Sequence, residues 1–173
     1  MAVSDELDES PITAVEVARD SKTVYVGTEH GGIFCSEDGG KNWSGDLSGP
    51  VPGFTITRLH ASPDDAATVY VTVANAGESH VYRSNDAGRT WSDIDRRRLP
   101  DVPHHAIAIP AKKPSTLFVS SDAGVYVSTD RGANWKDLTL NLPNVQIVDL
   151  VYHERSETLF AASYGRGLWR IKI

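Results

Sequence analysis

The sequence predicts an all-β chain folded as a β-propeller of about four four-stranded antiparallel blades, the last of them lacking its own outer strand. Three observations predict it. An eight-residue pattern, S-x-D-x-G-x-[TN]-W, occurs at residues 36–43, 84–91 and 128–135. Its tryptophans, Trp43, Trp91 and Trp135, lie 48 and 44 residues apart, the spacing of blade-sized repeats. A column of β-branched and aromatic residues precedes each copy and occurs a fourth time after the last one.

The blades follow in order. Residues 11–48 hold an apolar stretch from Ile12 to Ala18, the run Thr23-Val24-Tyr25-Val26, the pair Ile33-Phe34 and a short tail from Trp43 to Leu47. Residues 54–97 repeat this with Ile56 to Ala61, Thr68-Val69-Tyr70-Val71, Val81-Tyr82 and Trp91 to Ile94. In 104–141 the same columns are His105 to Ile109, Thr116-Leu117-Phe118-Val119, Val125-Tyr126 and Trp135 to Leu138. The fourth unit, 145–173, has Val145 to Tyr152, Thr158-Leu159-Phe160-Ala161 and Leu168-Trp169, and then stops without the eight-residue pattern. Glycine-bearing turns inside each unit make the second and third runs a hairpin. Residues 1–10 form an acidic extension too poor in β-formers to supply the missing strand. Three arrangements stay open: a closed four-bladed ring, a homodimer completing a larger propeller, or a part of a longer propeller.

Within the pattern, Ser36, Asp38, Gly40 and Trp43 have counterparts in Ser84, Asp86, Gly88 and Trp91 and in Ser128, Asp130, Gly132 and Trp135. These residues suit a turn between third and fourth strands. Asp and Ser side chains accept backbone hydrogens that the ladder leaves over, Gly takes a left-handed backbone, and Trp anchors the turn. They are expected to be structural, because a propeller spreads such turns around its rim.

The three copies resemble the Asp-box, or BNR, repeat of the sialidase superfamily and of sortilin-type propellers, over residues 11–173. The closing stretch from Leu142 to Ile171 also resembles the last blades of bacterial BNR-repeat proteins called glycosyl-hydrolase-like. The resemblance implies a function carried by the loop face. We expect a non-catalytic recognition or assembly module that binds carbohydrate or protein. The alternatives are a fragment of a BNR-type glycoside hydrolase using paired loop carboxylates, and a structural repeat domain of a larger surface protein.

A retaining or inverting glycosidase needs two opposed carboxylates, for which Glu29, Glu78 and Asp122 are the candidates. His30, Asp122, Tyr164 and Arg166 are the candidate binding residues on the same loops. The Arg-Ile-Pro segment that announces a sialidase arginine cluster is missing. His30, His80, His104 and His105 lack the close spacing of metal ligands, so no metal and no cofactor is expected. A net charge of −6 argues against a nucleic-acid partner, with Arg96-Arg97-Arg98 the one basic run. Forty per cent hydrophobic residues suffice for a core, yet no apolar run reaches the roughly 20 residues of a membrane span, so a soluble chain without a membrane partner is expected. The acidic start does not read as an export signal, which leaves the cytoplasm or an exported protein of which this is a part.

Overall fold

Alternation of apolar residues produces fourteen strands in the computed structural model, which describes residues 7–139, 142 and 145–173. Residues 1–6 of the expected acidic extension, and all of the 140–144 stretch but Leu142, lie outside the described residues. Blade 1 is β1 (Ile12–Val17), β2 (Val24–Thr28) and β3 (Ile33–Ser36). Blade 2 is β4 (Ile56–Ser62), β5 (Asp65–Val73), β6 (Val81–Ser84) and β7 (Ser92–Asp93). Blade 3 is β8 (His104–Ala108), β9 (Leu117–Ser121), β10 (Gly124–Ser128) and β11 (Lys136–Asp137). Blade 4 is β12 (Ile147–His153), β13 (Thr158–Ser163) and β14 (Gly167–Lys172). Each blade is one antiparallel sheet with strands in chain order.

Blade 1 has three strands where four were expected, and the reason is local. Ser44 N–H donates to Cys35 O and Leu47 N–H to Ile33 O, as a fourth strand would. The return bonds, however, go to side chains: Cys35 N–H donates to Ser44 Oγ (3.0 Å) and Ile33 N–H to Asp46 Oδ1 (3.1 Å). Polar side chains thus replace the main-chain carbonyls of a regular ladder.

The three boxes fold alike. Ser36, Ser84 and Ser128 each donate an Oγ–H to the aspartate two residues on, at 2.8 Å, and accept an N–H from Gly40, Gly88 or Gly132. The other carboxylate oxygen takes a side-chain donor from the fourth residue after it: Asn42 Nδ2 (2.6 Å), Thr90 Oγ1 (2.6 Å) or Asn134 Nδ2 (2.7 Å). These bonds hold the Asp38 and Asp86 carboxyls below the usual range and pull Asp130 down to about 2, the donor from residue Asn42, Thr90 or Asn134 contributing most.

Blades stack face to face. Tyr25 and Ile33 of blade 1 meet Leu59, Val71 and Tyr82 of blade 2. The opposite face of blade 2, Tyr70 and Val81, meets Ile107, Leu117 and Val119 of blade 3. Phe118 and Val125 then meet Leu150 and Leu159 of blade 4. Gly27 is required at the first junction, since a Cβ there would fall 2.3 Å from Ile56 Cγ2. Two indoles tie a blade to the one before it: Trp91 Nε1 donates to Leu47 O (2.8 Å) and Trp135 Nε1 to Ile94 O (3.0 Å). Trp43 donates to Gly40 O of its own turn (3.2 Å), as Trp169 does to Arg166 O (3.2 Å).

The first strands form the inner wall, β1 on β4, β4 on β8 and β8 on β12. Among the described residues no element of blade 1 packs extensively on blade 4, so the four blades describe an open arc and not a closed ring.

Candidate functional site

The turns between second and third strands, and the connections between blades, share one end of the arc. The β5–β6 turn and the connection from Asp95 to Pro103 build a polar cluster there. Asp95, fully buried, accepts four hydrogen bonds: His80 N–H (2.9 Å) and His80 Nδ1–H (2.8 Å) on Oδ2, Arg98 N–H (3.2 Å) and Leu99 N–H (3.0 Å) on Oδ1. Burial pushes its acidity down, but the bonds from His80 and Leu99 outweigh it and hold the carboxyl below the usual range. The His80 ring stacks on His104 with centroids 4.7 Å apart. His104 donates Nδ1–H to Val102 O (2.8 Å), and burial first, then the neighbouring His80, pushes it down to about 4.

Outside this buried layer, Gly77, Glu78, His80, Arg97, Leu99 and Asp101 line a recess of about 90 Å³. Asp101 Oδ1 accepts Gly77 N–H (2.5 Å) and faces His80 Nε2 at 3.4 Å. Arg97 stands over the mouth, 3.8 Å from Glu78. A second, smaller cluster belongs to the junction of blades 3 and 4, where His105 Nε2 lies 2.7 Å from Asp122 Oδ1 and the Gln146 amide lies 3.0 Å from the same nitrogen.

The residues singled out from the sequence take equivalent places on different blades. Glu29 and His30 sit exposed in the β2–β3 turn, Glu78 in the β5–β6 turn, Asp122 in the β9–β10 turn, and Tyr164 and Arg166 exposed in the β13–β14 turn. Among the described residues no hydrogen bond or ion pair joins any two of Glu29, Glu78 and Asp122. Glu78 is brought to Arg97 and Asp122 to His105; Tyr164 is 74% exposed.

A charged cleft on the inner wall was not anticipated from the sequence. Its volume is about 290 Å³, and Glu16, Arg58, His60, Asp149 and Tyr152 contribute to it from β1, β4 and β12. Arg58 donates to Asp149 Oδ1 at 2.5 Å, spanning from blade 2 to blade 4. Glu16 accepts Ala61 N–H (3.0 Å), lies 3.5 Å from His60 Nδ1, and is pushed up by burial against that hydrogen bond and Arg58. Burial and Arg58 push His60 down to about 4. One cleft thus holds two carboxyls in unlike surroundings, Glu16 pushed up by burial and Asp149 paired with a cation. The signal that would have exposed these residues is the polar interruption of ITAVEV, ITRLHAS and IVDLVYH, runs that a fully covered strand would keep apolar.

Comparison with known proteins agrees with this architecture. Xyloglucanase Xgh74A of Acetivibrio thermocellus is 27% identical over 154 residues, covering 77% of this chain and 18% of that protein. A xyloglucanase of a Paenibacillus species is 29% identical over 138 residues, covering 68% of this chain and 13% of its own length. The chain therefore spans less than a fifth of these curated relatives. Among solved structures, the GH74 xyloglucanase from Xanthomonas campestris superposes with a TM-score of 0.73 at 19% identity over 94% of this chain and 29% of that one. The computationally designed Ika4 protein superposes with a TM-score of 0.71 at 12% identity, over 97% of this chain and 94% of its own. The Sortilin-Vps10 family profile (Sortilin, neurotensin receptor 3) matches residues 79–167, more than half of the sequence. With three boxes of one geometry and four blades in series, the chain belongs to the Sortilin-Vps10 family of Asp-box propellers.

Proposed function

We infer that this segment is a non-catalytic recognition module whose loop face binds carbohydrate. The observation that carries the reading is the state of the loop-face acids. Glu78 is 60% exposed opposite Arg97, Asp122 is 39% exposed against His105, and Glu29 is exposed. A general acid must keep its proton at neutral pH, which takes apolar burial that these carboxyls lack. Fixed acceptors and donors on a polar surface instead suit hydroxyl recognition. Similarity to xyloglucanases points to a plant β-glucan as the first ligand to try. Xyloglucan cast into a native gel is expected to retard the chain, with no reducing ends released on long incubation. Unchanged mobility at saturating polysaccharide would refute the reading.

A second reading is favoured by the inner cleft. Glu16, pushed towards its protonated form by burial, and Asp149, paired with Arg58, are two carboxyls in unlike surroundings, the arrangement that a glycoside hydrolase needs. Under this reading the chain, as a piece of a longer hydrolase, contributes both carboxyls. Release of reducing sugar from xyloglucan that disappears in Glu16→Gln would decide for it over the binding module.

A further inference from the structure

We propose that two copies of this chain close head to tail into one ring, blade 4 of each seated on blade 1 of the other. The interaction surfaces are the two end faces of the arc, and the partner they fit is the same chain.

The inference starts from position-by-position equivalence between blades. On the face that a blade turns to its successor, Leu168 pairs with Ala162 as Val125 pairs with Ser120, Val81 with Thr72 and Ile33 with Gly27. Ile33, Val81 and Val125 are fully buried in the three interblade clusters, whereas Leu168 is 69% exposed. Phe160, paired with the exposed Val151, likewise takes the place of the fully buried Tyr25, Tyr70 and Phe118. On the opposite face, Val15 pairs with Val26 as Leu59 pairs with Val71, Ile107 with Val119 and Leu150 with Ala161. Leu59, Ile107 and Leu150 are buried against the preceding blade, but Val15 is 61% exposed. Ile12, at 41%, stands where Ile56, His104 and Ile147 are fully buried. A terminal repeat that faces water needs a polar outer surface, yet both ends of this arc keep the apolar side chains of a junction.

Blade 4 thus carries the forward half of a junction and blade 1 the rear half, so each copy presents what the other requires. The inner wall continues in the order already set, β12 on β1 of the second copy after β1 on β4, β4 on β8 and β8 on β12. Blade 4 also keeps open the place of an indole. Trp91 lies in the cluster of Tyr25 and Cys35, and Trp135 packs against that of Tyr70. The matching place on blade 4 is a recess of about 410 Å³ lined by Ser156, Thr158, Phe160, Arg170 and Lys172. Trp43, half-buried and bonded within its own turn, is the indole that a second copy brings to it, with the Arg170 guanidinium against the ring. Two such head-to-tail contacts about a two-fold axis close on themselves. Twice four blades makes a ring of eight, within the roughly four to eight of propellers, and a third copy would overrun it.

The experiment is sedimentation equilibrium of the 173-residue chain from micromolar to submillimolar concentration, expected to give twice the 18.8 kDa of one copy. Val15→Glu and Leu168→Glu change opposite end faces at positions exposed in the single chain, so far-UV circular dichroism is expected to match the parent. Each substitution places a carboxylate in both junctions at once and is expected to weaken association more than tenfold. The emission of Trp43, taken as the difference between parent and Trp43→Phe, is expected to shift to the red when Leu168→Glu is introduced. A single-copy mass throughout overturns the ring, as does growth beyond two copies. A dimer that survives either glutamate overturns it too, because like faces are then paired. An indole emission indifferent to Leu168→Glu removes the seating of Trp43 and with it this junction.

Discussion

Asp86 shows how much one side chain arranges at the rim. Its carboxylate takes Ser84 Oγ–H and Thr90 N–H on one oxygen and Thr90 Oγ–H on the other, closing a turn whose amides have no ladder partner. Asp86→Ala orphans these donors and is expected to cost about 1–2 kcal/mol, read as a lower urea midpoint at unchanged slope. Because the folded carboxyl is more acidic than its ordinary 3.8, the contribution is complete above that pH and lost as the pH falls further. His104 acts in a different window. Between pH 6.5 and about 4 the unfolded chain binds a proton at this residue that the folded chain refuses. Stability therefore falls as the pH drops through that range, by up to about 1.4 kcal/mol per unit. Chemical denaturation across pH 4–7 is expected to show this slope, reduced by one proton in His104→Asn.

At the scale of the elements, the strand columns were legible because Thr-Val-Tyr-Val and its relatives alternate with turn residues at a fixed period, and β2, β5, β9 and β13 lie on them. The bonds inside each box were equally legible, being local. The reach of Trp91 to Leu47 and of Trp135 to Ile94 was not, since a carbonyl more than 40 residues upstream leaves no mark in an eight-residue pattern. For the same reason the inner cleft was hidden: Glu16, Arg58 and Asp149 meet only through the stacking of blades. Interblade contact also gives the box glycines a second duty. Gly132 combines φ of 91° with Ile94 Cδ1 2.6 Å from where a Cβ would stand, whereas Gly39, at φ of 79°, has nothing within 4 Å. Gly39→Ala is expected to lose about 1 kcal/mol from backbone strain alone, and Gly132→Ala clearly more, as seen in paired melting curves.

For the whole molecule, the open arc makes stability a sum over neighbours, as in other repeat proteins. Blades 2 and 3 are packed on both faces. Among the described residues the end faces carry the same apolar columns, with Val15 61%, Val151 58% and Leu168 69% exposed. Among the described residues, β14 is the edge strand of blade 4. Native-state hydrogen exchange is expected to be slowest in β5 and β9 and faster in β14, in separate cooperative steps. A single transition with equal protection throughout would mean that the arc unfolds as one unit.

The indole bonds have a direction, and the direction has a kinetic meaning. Among the described residues the two that cross a junction both run from a later blade to a carbonyl already synthesised. A chain leaving the ribosome at about 5–20 residues per second can fasten blades 2 and 3, as each emerges, to a finished predecessor. Trp43 is satisfied within its own turn, so the indole of blade 1 waits for no other blade.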